Sequence, residues 1–302
     1  MKYKQWLYDW LESGALAAVK PRTAEAYADA VRLRIVPELG ECELSELTAD
    51  VLQSFVRRIS ERYSPNTVLG AVTVVRASLK RAQKTGVLER QYSDCIICPR
   101  VTEREIFCLT VSEQKRIEKY VLSSSKKKYF GFVLCLYTGL RIGELLALEW
   151  RDIDLCDGYL SVNKTCRDSW RGGYSKIVST PKTKTSRRVI PLPVKLLPYL
   201  RKMKKSACGA CVFTTESGGA VTVRSFQRSF QCMLRKLGIE HRGVHALRHT
   251  FATRALECGM DVRTLSEILG HKNPSVTLNR YAHSLLPHKA AMMNRLGKLF
   301  AE

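Results

Sequence analysis

The sequence predicts a two-domain protein, in which an all-α domain is followed by a mainly α domain that contains a few short strands. Three observations support this prediction. The chain has 302 residues, which is more than one compact core usually holds. Its first ninety residues place apolar side chains at helical spacing and show no strand pattern. Strand-like stretches occur only beyond residue 150, between helical segments.

Apolar spacing and helix-end signals locate four helices in the front domain. Lys20-Pro21 interrupts the pattern after the first helix, and Ser64 followed by Pro65 is typical of a helix start. The predicted helices are one containing Trp6 and Trp10, one from Thr23 to Val36, one from about Thr48, and one from Pro65 to the stop at Gly86.

The pattern breaks over residues 88–108, and a new helix then begins at the capping box Thr110-Val111-Ser112-Glu113. We therefore expect a helical domain over 1–92, a linker over 93–107 and a second domain over 108–302. Within the second domain helices return from Val223 to the end. The predicted strands are Tyr159 to Val162, Lys176 to Ser179, and Arg188 to Leu192.

The net charge and its distribution along the chain indicate the class of molecule that the protein binds. The formal net charge is +22, and residues 1–100 hold 15 Lys and Arg against 12 Asp and Glu, so that nearly all of the excess lies beyond residue 100. A basic surplus confined to one part of a chain is typical of nucleic-acid binding. The basic residues do not line one amphipathic helix, and no run of 18 apolar residues exists, so we expect no membrane partner. The first residues lack a signal peptide's apolar core, which predicts a cytoplasmic protein with its 11 cysteines reduced.

Neither a metal site nor a nucleotide site is expected. Cys95-x-x-Cys98 and Cys208-x-x-Cys211 lie more than a hundred residues apart, whereas zinc ribbons and fingers place such pairs about 12 to 20 residues apart. The sequence also contains no P-loop and no G-x-G-x-x-G. We therefore predict a protein that works without a cofactor.

Four segments carry residues suited to phosphate chemistry. His245 and Arg248 lie three apart on a predicted helix, and a basic pair so placed can grip one phosphate. Arg141 follows a glycine turn among apolar residues, with Glu144 three positions on as a structural mate or an orienter. His271 comes directly after the helix-stopping Gly270, and ten residues later comes Tyr281.

These segments, in this order, resemble the tyrosine recombinase (phage integrase) family along essentially the whole chain. That family has an arginine in a T-G-x-R-x-x-E-L segment, a hairpin lysine, an H-x-x-R helix, an L-G-H turn and a tyrosine nine or ten residues later. The matching residues are Arg141, Lys182 or Lys184 in the stretch Pro181 to Leu192, His245, Arg248, His271 and Tyr281. The Pro-Lys-Thr context favours Lys182 over Lys184 as the hairpin lysine. The resemblance also implies a SAM-like core-binding domain in front and a small antiparallel β-sheet in the catalytic domain.

The resemblance implies a role for each matched residue. Arg141 and Arg248 would clamp the non-bridging oxygens of the scissile phosphate, and His271 would donate one further hydrogen bond. Tyr281 would attack the phosphorus and leave a 3′-phosphotyrosine. His245 would act as general base, and Lys182 as the general acid for the departing 5′-oxygen, with Lys184 then a contact to the DNA backbone.

In this family four protomers exchange strands on two DNA duplexes through a four-way junction. We therefore expect double-stranded DNA as the partner, and a homotetramer. The tail after Tyr281 is predicted to form an amphipathic helix that docks into a neighbouring protomer, or alternatively packs on its own domain. An accessory directionality factor is a possible further partner. The apolar residues of the tail are Leu285, Leu286, Ala290, Met293, Leu296 and Leu299.

Several roles compete. The stretch Pro181 to Leu192 and the residues after His271 resemble integrases of phages and conjugative transposons, whereas chromosome-dimer-resolving recombinases usually carry a Gly-Lys-Gly hairpin. The inserted segment of integron integrases is not found. Many mobile-element integrases begin with an arm-binding domain, but here the core-binding helices start at residue 1, which leaves the use of arm-type DNA sites open. A type IB topoisomerase shares the chemistry, and a non-catalytic DNA-binding protein would explain the charge.

Overall fold

A computed structural model describes the fold of residues 1–15, 19–102, 107–169, 175–179, 187–207, 209–271, 273–281, 293–294 and 296–297. The chain divides into two compact units, Met1–Arg104 and Glu105–Glu302. No helix in these ranges is long and apolar enough to cross a membrane.

The first unit is helical throughout its described part. The third long helix begins after Thr48, as the sequence predicts, and the Thr48 hydroxyl caps it. Pro65 opens the fourth. The predicted second helix is two helices joined by a wider turn, Val31–Ile35, because Pro37 removes a backbone donor. The helices are α1 (Tyr3–Trp10), α2 (Pro21–Ala30), α3 (Val36–Leu39), α4 (Ala49–Arg62) and α5 (Pro65–Lys84).

The apolar faces of these helices meet in one core that includes Leu52 and Phe55, both fully buried. Part of the expected linker belongs to this core as well. Ile96 is buried in it, and the Arg76 guanidinium donates to the carbonyls of Ser93 and Ile96. The stretch 93–96 is therefore held by α5.

The second unit is mainly helical around a separate core. The capping box at Thr110 is present with both of its hydrogen bonds, as predicted. Helix α7 is buried along almost its whole length, which matches its nearly continuous apolar sequence. The helices are α6 (Val111–Leu122), α7 (Phe130–Thr138), α8 (Ile142–Leu146), α9 (Leu197–Lys205), α10 (Val223–Lys236), α11 (His245–Glu257), α12 (Val262–Leu269) and α13 (Pro274–Tyr281).

Two small antiparallel sheets lie in the described part of the second unit. One has the strand order β1-β2-β5 and the other pairs β3 with β4. The three predicted strands correspond to β2, β4 and β5, whereas β1 and β3 were not predicted. Leu160 pairs with Ile190 and both are buried, which fixes the face that β5 turns to the core. The strands are β1 (Ile153–Asp154), β2 (Tyr159–Val162), β3 (Thr165–Ser169), β4 (Ser175–Ser179) and β5 (Arg188–Pro191).

Candidate active site

Three arginines from different elements converge on the carboxyl end of α12. The carbonyls of three consecutive residues at this end, Ile268, Leu269 and Gly270, accept hydrogen bonds from the guanidinium groups of Arg188, Arg248 and Arg141 respectively. The last carbonyls of a helix carry its negative dipole end, so they stabilise cations placed against them. Strand β5, helix α11 and the start of α8 are thereby tied to one helix terminus.

Two glycines in the left-handed region make this convergence possible. Gly139 ends α7 with φ +63°, and a Cβ there would lie 2.7 Å from a methyl carbon of Leu269. Gly270 ends α12 with φ +65°, and a Cβ there would lie 3.0 Å from Nη1 of Arg188. A side chain at either position would be strained and would also displace a neighbour at the end of α12.

Glu144 is the acidic member of the cluster. Its carboxylate is 5% exposed and lies 2.8 Å from Nη1 of Arg141, and 2.8 Å and 3.1 Å from two nitrogens of Arg188. It also accepts the backbone N–H of Arg141. Burial raises the pKa of Glu144, but the hydrogen bonds and charges of Arg188 and Arg141 outweigh burial, so the pKa lies below its ordinary value. Glu144 is therefore an ionised carboxylate that orients two arginines.

Arg248 is as enclosed as Glu144. It is 5% exposed and donates to the Gly139 carbonyl at 2.7 Å and to the Leu269 carbonyl at 2.8 Å. Its Nη2 lies 3.0 Å from Nε2 of His271. A guanidinium can only donate, so Nε2 of His271 accepts here. The His271 proton is then on Nδ1, which lies 2.7 Å from Oγ1 of the buried Thr277 and donates to it.

The structure thus brings together Arg141, Glu144, Arg248 and His271, all singled out from the sequence. His245 is the first residue of α11 and is exposed, one turn before the buried Arg248. Tyr281 is the last residue of α13, the helix that follows the His271 turn. Lys182 and Lys184 lie outside the described residues.

Two residues of the cluster were not predicted. The sequence identifies Arg188 only as the first residue of a predicted strand, and it assigns no role to Thr277. Strand alternation offered a signal for Arg188, because it shares a strand face with the buried Ile190 while Val189 between them is exposed. Thr277 gives no comparable signal, since its role depends on a hydrogen bond to the His271 ring that the sequence pattern does not show.

The arrangement is suited to holding an oxyanion. The cluster holds three guanidinium groups and one carboxylate, which Arg141 and Arg188 bind, so positive charge is in excess. The Arg141 side chain is 37% exposed. Fixed cationic donors of this kind stabilise charge that develops on phosphate oxygens. In the described ranges, no group of three His, Cys, Asp or Glu side chains is arranged to hold a metal ion.

Models of known protein families match both parts of the chain. Residues 108–287 match the phage integrase family, and residues 2–60 match the phage integrase N-terminal SAM-like domain. A tyrosine recombinase XerC-like protein of Caldanaerobacter subterraneus subsp. tengcongensis is 29% identical, over 97% of this chain and 82% of its own length. The integrase of Mycobacterium phage D29 is 25% identical, over 91% of this chain and 73% of its own.

Solved structures show the same fold. The Tn1549 transposon integrase in complex with transposon right end DNA has a TM-score of 0.83 at 23% identity, covering 98% of this chain and all of that one. A lambda integrase tetramer bound to a Holliday junction has a TM-score of 0.71 at 20% identity, covering 91% of this chain and 78% of that one. The resemblance and fold class expected from the sequence are confirmed: this chain belongs to the phage integrase family of tyrosine recombinases, enzymes that break and rejoin DNA strands.

Proposed function

We propose that this protein is a site-specific DNA recombinase of a mobile genetic element and that it cuts DNA through a covalent 3′-phosphotyrosyl link to Tyr281. The observation that carries the proposal is the convergence of Arg141, Arg248 and His271 at the end of α12. The next helix, α13, ends at Tyr281. Along the chain, the candidate nucleophile therefore follows the cationic cluster by one helix of eight residues.

Each residue has a distinct task in this mechanism. Arg141 and Arg248 bind the non-bridging oxygens of the scissile phosphate, and the Tyr281 hydroxyl attacks the phosphorus. Ionising a tyrosine at pH 7 costs about 4 kcal/mol, which the arginines' positive field and His245 as general base offset. Lys182 protonates the departing 5′-oxygen, with Lys184 as the alternative.

His271 must change its hydrogen bonds to take part. Its Nε2 accepts from Arg248 in the DNA-free arrangement. When the Arg248 Nη2 turns to a phosphate oxygen, the neutral ring can change tautomer, in which Nδ1 releases its proton to solvent and Nε2 takes one up from solvent. The Thr277 hydroxyl, which can both donate and accept, then donates to Nδ1. The Nε2–H of His271 then becomes available to the same phosphate.

DNA binding and assembly follow from charge and from the tail. The basic excess beyond residue 100 suits two DNA duplexes, whose phosphates dominate affinity. We propose a homotetramer in which the tail after Tyr281 docks into a neighbour. Most of the tail lies outside the described residues, but Met293 and Leu296 are described and are exposed. The lambda integrase tetramer on a Holliday junction supports this assembly by its similar fold.

A second candidate role is the resolution of chromosome dimers, which the XerC-like relative favours. We prefer the mobile-element role because the stretch Pro181 to Leu192 resembles integrases. The two roles predict different DNA substrates: the joined ends of an excised element for an integrase, and one chromosomal site for a resolver. Recombination assays with both substrates distinguish them.

Covalent trapping tests the chemistry. Nicked duplexes covering the DNA that flanks the gene are incubated with the wild type and with Tyr281→Phe, and then separated on a denaturing gel. We expect a detergent-resistant adduct that forms only with the wild type and maps to the peptide holding Tyr281. An adduct of equal yield with Tyr281→Phe would exclude Tyr281 as the nucleophile. Tight duplex binding without any adduct, also on a random duplex library, would indicate a binding protein.

A further inference from the structure

Arg188 is a buried arginine to which the proposed mechanism gives no task. Its side chain is 6% exposed, and two of its nitrogens lie 2.8 Å and 3.1 Å from the two carboxylate oxygens of Glu144. Its Nε donates to the Ile268 carbonyl. Arg188 therefore holds Glu144 from the protein interior, whereas Arg141, with a 37% exposed side chain, holds the same carboxylate from the solvent side.

The charges of these three groups show what Arg188 contributes. Glu144 carries one negative charge and is 5% exposed, so it needs a cationic partner. With Arg188 in place, two cations share one anion and a positive charge remains in excess. Without Arg188, Arg141 would be the single guanidinium within 4 Å of Glu144 among the described residues, and the pair would be neutral.

We propose that Arg188 is a positioning residue for strand cleavage, which neutralises Glu144 from the buried side so that the charge of Arg141 stays available to the DNA phosphate. The inference rests on the proposed function, because it assigns the phosphate to Arg141. Glu144 can then orient Arg141 without cancelling the positive charge of Arg141.

Three features of the site support this assignment. The bidentate contact between Arg188 and Glu144 is the stronger geometry for an arginine–carboxylate pair. Gly270 leaves room for the Arg188 guanidinium, since a Cβ there would lie 3.0 Å from its Nη1. Arg188 also lowers the pKa of Glu144 and so keeps it ionised against the effect of burial.

The experiment is a double-mutant cycle on single-turnover cleavage. The probe is the nicked duplex that gives the covalent adduct with the wild type, at saturating protein. We expect Arg188→Met to slow adduct formation by about 10²-fold, with duplex affinity within a few-fold of the wild type. Glu144→Gln in the same chain should restore much of the rate, because the carboxylate that retains Arg141 is gone. Arg187→Met, at the exposed neighbouring position, is the matched control and should cleave within a few-fold of the wild type.

A merely structural role predicts a different outcome, in which the two substitutions add their losses and the double variant is the slowest. That result, or wild-type cleavage by Arg188→Met, would overturn the inference. If Arg188→Met does not fold in a thermal unfolding scan, Arg188→Lys replaces it. Lysine keeps the charge, so it should retain most of the rate, and a folded Arg188→Lys that no longer cleaves would contradict charge neutralisation. Absence of a wild-type adduct would instead reject the proposed function itself.

Discussion

In the helical unit, Met1–Arg104, the buried polar side chains among the described residues are two serines, whereas in the unit Glu105–Glu302 they include Glu144, Asp152 and Arg248. The ion pairs of the first unit lie at its surface. Arg58 and Arg62 bind Glu38 there, and the two arginine side chains are about half exposed although Glu38 itself is 13% exposed. In the second unit, Glu144 and its partner Arg188 are both at most 6% exposed.

Ion pairs at the surface and ion pairs in the interior differ in what they contribute to the protein. A surface pair contributes about 0–1 kcal/mol and constrains the fold little. Burying an ion costs several kcal/mol unless partners compensate it, and a hydrophobic replacement is often as stable. The second unit keeps its buried cations at the end of α12, where we propose that the scissile phosphate binds. The first unit keeps an apolar core, as packing alone requires.

The largest expected effect is that of Arg248→Ala on cleavage. Removing this guanidinium takes away a hydrogen-bond donor that we propose binds the phosphate, and the Gly139 and Leu269 carbonyls lose their hydrogen bonds to it. We expect the single-turnover rate to fall by about 10³-fold, since loss of one preorganised donor costs about 10²–10³-fold. Duplex affinity, measured at fixed salt, should change much less.

Arg263→Ala is the control for that change. Arg263 lies on the same helix α12, but its side chain is 84% exposed and pairs with Glu267. Cleavage should stay within a few-fold of the wild type. Both variants could instead lose cleavage equally, together with a loss of duplex affinity that low salt reverses. In that case both arginines would be DNA backbone contacts, and the contrast between buried and surface cations would not hold.

The next effect concerns the core of the helical unit. Leu52 is fully buried there, and Leu52→Ala should lower the unit's free energy of unfolding by about 3 kcal/mol, through lost transfer energy and a cavity. Hydrogen exchange resolved along the chain measures this, and amides of α7 in the second unit should keep their protection. Leu33→Ala, at a position 47% exposed, is the control with little effect. Equal loss of protection in α7 would mean that the two units unfold together.

The sequence predicts those parts of the molecule that local signals determine. Helix α4 begins after Thr48 and α12 ends at Gly270, as expected, because capping and left-handed glycines act within one turn. Strand β3 was missed because its residues, Thr165–Ser169, become a strand through pairing with β4. In the site, the family motifs located the residues around Arg141, but the partnership of Arg188 with Glu144 joins positions 44 residues apart.

A smaller effect is expected from Thr277, the partner of His271. Thr277→Val removes the hydroxyl that accepts from Nδ1 and keeps the shape of the side chain. The half-buried ring would lose this hydrogen bond and its fixed tautomer, so we expect cleavage to slow by about tenfold, near 1.4 kcal/mol. Thr277→Ser keeps the hydroxyl and should recover most of the rate. If serine and valine slowed cleavage alike, packing of the methyl group would be the cause.

The smallest effect is a dependence of stability on pH that should differ between the units. The pKa of Glu144 is below its ordinary value of about 4.5 in the folded protein, so the unfolded chain binds the proton more readily. The stabilisation is present above that ordinary value and is lost as the pH falls through the lower, folded value. The pKa of Glu38 is lowered as well, first by its hydrogen bond to Arg58, so the helical unit should also weaken in acid.

Salt distinguishes the two units, because it screens exposed charges more than buried ones. In 0.5 M salt, the loss of stability in acid should be reduced more in the helical unit than in the second unit. Glu144→Gln should reduce the acid response of the second unit alone. Hydrogen exchange in each unit, measured between pH 6 and pH 3 alongside thermal unfolding, gives the dependence of stability on pH for both units. Equal salt sensitivity of the two units would show that Glu144 is no better shielded from solvent than Glu38.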